Sequence, residues 1–340
     1  MPFKEIVGQE RLKTILYNSI KNNEFSHAYL FLGPENTGKR YAAMIFAKSL
    51  LCQDFKEDPC ERCVPCKKVQ NLSHPDLLLI EPEKNSIKIE TIKNIKKDIS
   101  FKPFEGKKKI VIIDKVDKTT KEASNALLKT LEEPPKDTIF ILISPNYYSL
   151  LPTIVSRCQK ITFHQLSSSI IREFLIKTHS MDYQKAEWIS LLSRGRIGKA
   201  ILIKDNSNFK SRDKAWEIIS RLSLNQMDVI FNNVKELTTE KEDLDEIFEW
   251  LFLFCRDIAV IKNRADTTYI INNDLIGDLE NLSQRLSISA IHDIYAEIKN
   301  TDLLLRKNVN HRLALENMIM NIFSIRSQIT ENGHGYNCRY

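Results

Sequence analysis

The chain has 340 residues, 42% of them apolar and 28% charged, which is enough to bury a full core and suggests roughly two to three domains. Met1-Pro2-Phe3-Lys4-Glu5 holds no apolar signal core, and no run approaches the ~18 apolar residues of a spanning helix, so a soluble, cytoplasmic protein with no membrane partner is expected. A net charge of +6 permits contact with nucleic acid without requiring it, because 44 acidic residues are interspersed among 50 basic ones and a solvated mixed surface accounts for most of the lysines.

Gln9 to Asn22 carries Leu12, Ile15, Leu16 and Ile20 at helical spacing, and Ala28 to Leu32 reads as a buried strand. His27, just before that strand, has no spaced histidine or carboxylate partner and reads as a packed structural residue. Next comes Gly33-Pro34-Glu35-Asn36-Thr37-Gly38-Lys39-Arg40, which opens a helix running from Lys39 to Leu51. Strand, glycine-rich turn and helix in this order form a P-loop, whose backbone N–H groups cradle phosphates and whose lysine meets the terminal ones. A chance glycine turn is the plain alternative, and the strand-to-helix context argues against it. The position that needs a Ser or Thr hydroxyl for Mg²⁺ holds Arg40, which cannot ligate a cation.

Cys52, Cys60, Cys63 and Cys66 then follow as C-x7-C-x2-C-x2-C. Two-residue gaps let a tight knuckle aim successive thiolates at one tetrahedral ion, so a closed structural zinc site is expected, with an iron–sulfur cluster as the alternative. Arg62, Lys67 and Lys68 are candidates to offset the dianionic charge of a zinc tetrathiolate. Cys158, Cys255 and Cys338 stand alone as buried or tail thiols.

Past the cysteines, strands are expected at Asp76 to Ile80, Lys109 to Ile113 and Thr138 to Ile143, with helices at Thr91 to Ser100 and Lys121 to Leu131 between them. Alternation of this kind predicts a parallel sheet between helices. Pro134-Pro135 stops the helix that ends near Leu131. Lys107-Lys108-Lys109 reads as a solvated turn before a strand rather than a phosphate contact. The strand Lys109 to Ile113 ends on Asp114-Lys115. Asp114 is able to hold Mg²⁺ through water, but Lys115 stands where a Glu would polarise the attacking water, and an ammonium at neutral pH is no general base.

Beyond Gln165 the strand signal vanishes, and from Asn206 almost to Ile329 the pattern is helical. One helix there, with Ile247, Trp250, Leu251, Phe254 and Ile258 on one face, reads mostly as core. The expected organisation is a nucleotide-fold domain over 1–165 with the metal module at about 52–66, a small helical segment over 166–205, a helical domain over 206–330, and an unstructured tail over 331–340.

Several segments carry a resemblance. Val7-Gly8-Gln9-Glu10, His27-Ala28-Tyr29-Leu30-Phe31, His74-Pro75-Asp76, Asn125 to Pro135 and Ser156-Arg157-Cys158, with the cysteine knuckle between the two nucleotide motifs, look like the bacterial clamp-loader AAA+ family. The match is strong over residues 1 to 200 and extends weakly to Asn308–Glu316. The resemblance implies an AAA+ α/β domain with a parallel sheet and an inserted zinc module, then a helical lid and an all-α collar that assembles into a hetero-pentamer. Within the family, Arg40, Lys115 and a length with no room for a long extension favour the delta-prime type over the ATP-hydrolysing gamma/tau type, which stays as the alternative.

The implied work is to load the sliding clamp onto primed DNA for DNA polymerase III, alongside gamma/tau and delta. Independent ATPase activity is not expected, and ATP or ADP binding at Gly33, Gly38, Lys39, Arg40, Asp114 and Lys115 is left open. The family places its first sensor at Ser144 or Asn146 and its second at Lys199, and it makes Arg157 an arginine finger that reaches into a neighbour's ATP site. A plain surface arginine is the alternative for Arg157. Two rivals are a self-sufficient ATPase using Thr37 or a nearby carboxylate, and a zinc-knuckle nucleic-acid binder.

Overall fold

A computed structural model describes residues 2–83, 85–205, 210–221, 244–266, 269–305 and 309–332. The chain divides into two compact units, residues 1–205 and 206–340.

The first unit is built on a five-stranded sheet in the order β2-β3-β4-β1-β5, parallel throughout. Its strands are β1 (Ala28–Leu32), β2 (Leu77–Ile80), β3 (Lys109–Ile113), β4 (Thr138–Ser144) and β5 (Gln159–Thr162). Strands β1, β3 and β4 are buried along their whole length, as continuous apolar runs covered on both faces must be. Successive side chains alternate between the faces. Tyr29, Phe31, Ile110, Ile112 and Ile141 point into a core with α1 (Glu10–Asn22) and α2 (Lys39–Leu51), where Leu16, Ile45 and Phe46 are fully buried. Leu30, Val111, Ile113, Phe140 and Leu142 point the other way, toward Ile92 and Ile95 of α4 (Ile89–Ile99) and Leu127 and Leu131 of α5 (Lys121–Glu132).

Two elements carry no clear signal in the sequence. A short helix, α3 (Val64–Gln70), closes the cysteine module with Pro65 in its first turn. The strand β5 forms the edge of the sheet beside β1, and only Ile161 of its four residues is buried. Lys109 opens β3 as a buried residue and donates from Nζ to the carbonyl of Asp98 at 2.5 Å, so the lysine run is not wholly a solvated turn.

Asp76 stands immediately before β2, and its backbone carbonyl accepts the N–H of Ile110 in β3 at 2.8 Å. Its carboxylate, 1% exposed, accepts the N–H groups of Phe104, Glu105 and Gly106 at 2.6, 2.8 and 2.7 Å. That fixes the loop between α4 and β3. The first unit ends in α7 (Ser168–His179), α8 (Tyr183–Leu192) and α9 (Ile197–Asp205), the first two capped by Ser167 and Asp182.

In the second unit, α10 (Lys210–Arg221), α11 (Leu244–Lys262), α12 (Ile276–Arg285), α13 (Ile288–Leu305) and α14 (His311–Asn332) pack together. Ile247, Trp250, Leu251, Phe254 and Ile258 of α11 are all buried, as their spacing predicts. Asp257 of the same helix, fully buried, accepts N–H groups from Ile271 and Asn272 and the Asn272 amide. Glu331 and Asn332, expected from sequence to lie in a tail, close α14, and 333–340, with Cys338, lie outside the described residues.

Burial pushes the Asp76 carboxyl up, but the three N–H donors outweigh it and hold it below the usual carboxylate range. A group depressed on folding stabilises above its unfolded pKa and loses that contribution as pH falls through the folded one. Asp76→Ala is expected to cost about 3 kcal/mol in urea unfolding at pH 7 and progressively less in acid. A loss below about 0.5 kcal/mol would contradict this role.

Candidate functional site

The C-terminal ends of β1, β3 and β4 meet at a cavity of about 370 Å³. Gly38, Lys39, Arg40, Asp114, Lys115 and Ser144 line it, whereas Gly33 and Lys199, also singled out by sequence, do not. Gly33 has φ +144°, and a Cβ there would lie 2.3 Å from the Phe163 carbonyl oxygen, so only glycine fits where the loop leaves β1. Gly38 has φ +92° at the start of α2, and Asn36 within the loop also lies in the left-handed region, at φ +61°.

Lys39 is 7% exposed, and its ammonium turns back on the loop, donating to the carbonyls of Gly33 and Pro34 at 2.5 and 2.6 Å. Burial pulls it down to about 8, while Glu35, Asp114 and Asp117 work in the opposite direction. Thr37 is buried and its hydroxyl donates to the Pro34 carbonyl at 2.8 Å. It stabilises the loop.

Arg40 lies between Glu81 and Asp114. Its guanidinium grips Glu81 with both terminal nitrogens, Nη1 to Oε1 and Nη2 to Oε2, the latter at 3.2 Å, and Nη1 stands 3.9 Å from Asp114 Oδ2. Desolvation raises the Asp114 carboxyl above its ordinary value and Arg40 opposes the shift. Lys115 follows in the left-handed region at φ +52°, its N–H donating to Asp114 Oδ1 at 2.9 Å. The Arg40 guanidinium thus faces both acids on this side of the cavity. Glu81, the main partner of Arg40, is invisible to sequence reading because it lies 41 residues away at the end of another strand.

The two sensor positions differ. Ser144 is fully buried, and its hydroxyl donates to the Asn146 carbonyl at 2.7 Å, committing it to its own loop. Lys199 lies in α9, one residue after Gly198, whose N–H donates to the Asn36 carbonyl at 2.7 Å. A Cβ on Gly198 would come within 3.0 Å of that oxygen, so α9 meets the phosphate loop closely through a glycine.

Arg157 does not line this cavity. It caps the short helix α6 (Pro152–Ser156) after β4. Its Nη1 donates to the Thr153 carbonyl at 3.0 Å and its Nη2 to Glu132 Oε1 at 2.7 Å. The side chain keeps 35% exposure. Cys158 beside it is buried, which pushes its thiol up to about 12 and suits a packing role.

Cys52, Cys60, Cys63 and Cys66 bring their sulfurs within 4.8 Å of one another. Tetrahedral thiolates ~2.3 Å from a common ion stand about 3.8 Å apart, so the set fits a metal after small adjustment. The N–H groups of Cys60 and Cys63 point at the sulfurs of Cys52 and Cys60, at 3.3 and 3.4 Å, as donors that stabilise thiolate charge. Of the cations named from sequence, Arg62 pairs with Asp54 and also bears on Cys60 of the module, while Lys68 pairs with Glu105. A further cation beside the module is Lys48 of α2, 1% exposed, with Glu61 and Gln70 at 3.4 and 3.5 Å. It ties the metal module to the helix that carries the phosphate loop.

Comparison with known proteins follows the two units. A family model described as DNA polymerase III, delta subunit, matches residues 8–167, and a second, for the C-terminal part of the delta subunit, matches 208–323. The chain is 31% identical to DNA polymerase III subunit delta' of Bacillus subtilis over 316 residues, covering 92% of this chain and 95% of the relative. It is 42% identical to subunit tau of the same organism over 170 residues, but that match covers 50% of this chain and 30% of tau. Among solved structures, a gamma subunit-related protein of Thermotoga maritima aligns over 94% of this chain and 99% of its own, at 19% identity and a TM-score of 0.44.

Proposed function

The chain belongs to the DNA polymerase III delta-prime subunit family, and from that membership we propose that it is a clamp-loader subunit that completes a neighbour's ATP site without hydrolysing ATP in its own. The observation that carries this reading is the separation of the two arginines. Arg40 is paired with Glu81 and faces Asp114 in the chain's own cavity, while Arg157 stands outside that cavity and partly open to solvent.

A nucleotide entering the cavity would meet Lys39, the loop N–H groups and the first turn of α2, and these suffice to hold phosphate. Hydrolysis needs more: a cation bridging the terminal phosphates and a base or orienter for water. Arg40 supplies charge but no coordination sites, and Lys115 supplies no base. The gamma/tau-like alternative and the Thr37 rival both need a cation ligand, and the Thr37 hydroxyl is turned into its own loop.

In trans, Arg157 would place its guanidinium against charge developing on a phosphoryl group in the adjacent ATPase subunit, a role worth ~10³ to 10⁵ in rate in related hydrolases. The partners are the gamma/tau and delta subunits, and through them the sliding clamp and primed DNA, in the cytoplasm. Residues 166–205 serve as the lid and the helices of 206–330 as the assembly collar. The metal held by Cys52, Cys60, Cys63 and Cys66 is zinc, in a closed structural role.

Three outcomes test this reading. In the reconstituted loader with clamp and primed DNA, Arg157→Ala is expected to leave assembly intact and lower ATP turnover at least tenfold, with no turnover by the chain alone; undiminished turnover in the variant contradicts the finger. Affinity of the isolated chain for a fluorescent ATP analogue is expected to be the same in EDTA as in Mg²⁺, whereas a tenfold gain with Mg²⁺ contradicts the guanidinium-for-cation reading. Elemental analysis of the purified chain is expected to give about one zinc per molecule; iron, or no metal, contradicts the zinc assignment.

A further inference from the structure

Glu132 closes α5 immediately before Glu133-Pro134-Pro135, and proline cannot carry the helix on. The last turn of α5 packs near α6, so the Glu132 carboxylate meets the guanidinium of Arg157, 25 residues further along. We infer that Glu132 is a positioning residue for Arg157: with the Thr153 carbonyl it fixes the direction of the guanidinium, so that its free edge is presented to a phosphate of the adjoining subunit. The inference rests on the finger reading above.

The geometry favours orientation over stability or blockage. The pair is open to solvent, 35% exposed on the arginine and 41% on the glutamate, and exposed pairs of this kind add little to folding. A guanidinium has five N–H donors in a rigid plane. The two anchors take one from Nη1 and one from Nη2, at 3.0 and 2.7 Å, which leaves a donor on each terminal nitrogen and one on Nε. Two anchors on different nitrogens set both the plane and the heading of the group. The anchored arginine can therefore receive a phosphate oxygen without first releasing Glu132. An unanchored one would give up its rotamer freedom only when the subunits dock, and the phosphoryl transfer step would bear that loss.

The test uses the whole reconstituted loader with clamp and primed DNA, measuring ATP turnover and assembly for Glu132→Ala, Glu132→Gln, Arg157→Ala and the Glu132→Ala/Arg157→Ala pair. Glu132→Ala is expected to lower kcat about fivefold, with KM for ATP and assembly unchanged. Glu132→Gln, which keeps an acceptor oxygen, is expected to stay within about twofold of the unaltered loader. The double variant should match Arg157→Ala alone, because Glu132 acts only through Arg157. Loss in Arg157→Ala with none in Glu132→Ala overturns this inference and leaves the finger standing. A shift in KM or assembly alone, or a further loss in the double variant, also overturns it. No loss in Arg157→Ala overturns the finger and this inference together.

Discussion

The ion pair between Arg40 and Glu81, with Asp114 3.9 Å from the same guanidinium, sets the charge balance of the cavity beside the phosphate loop. In a working P-loop enzyme the carboxylates beside the loop gather a divalent cation that bridges the phosphates. Here a fixed cation gathers them instead, and it brings no vacant coordination positions with it. The Lys39 ammonium turns back to the carbonyls of Gly33 and Pro34, and the Thr37 hydroxyl turns to Pro34. The loop keeps the shape of a phosphate cradle while its polar groups satisfy one another.

The same sheet also accounts for the second arginine. Buried parallel strands end on one side, where the P-loop follows β1, Asp114 follows β3 and Ser144 ends β4. The chain leaving β4 makes one short helix and reaches Arg157 before returning as β5. The placement of Arg157 thus depends on the core that shapes the cavity, with Glu132 and Thr153 adding the local anchors. On the proposed reading, loss of hydrolysis at one site and retention of a finger for another are compatible, because different segments carry them.

The sequence made the central strands and their helices legible because buried parallel strands are continuous apolar runs, and the covering helices keep their apolar face at 3.6-residue spacing. It did not reveal β5, an edge strand with Gln159, Lys160 and Thr162 turned to solvent, nor α3, whose signal is interrupted by the cysteine spacing and Pro65. The P-loop and cysteine residues could be named because their chemistry depends on local spacing. Glu81, Glu132 and Lys48 could not, because what defines each of them is a partner 41, 25 and 13 residues away. A buried lysine on a helix looks the same in sequence as a solvated one, which is why spacing marks Arg62, Lys67 and Lys68 beside the cysteines and leaves Lys48 unmarked.

The most direct test of the central claim is a structure of the assembled loader with ADP and a metal-fluoride mimic of the transferred phosphoryl group in the ATPase subunit next to this chain. The account predicts the Arg157 guanidinium within about 3 Å of the mimic's fluorines, and no metal ion beside Arg40 in this chain's own cavity. A guanidinium left in solvent, or a metal ion held by Asp114 in place of Arg40, would contradict it.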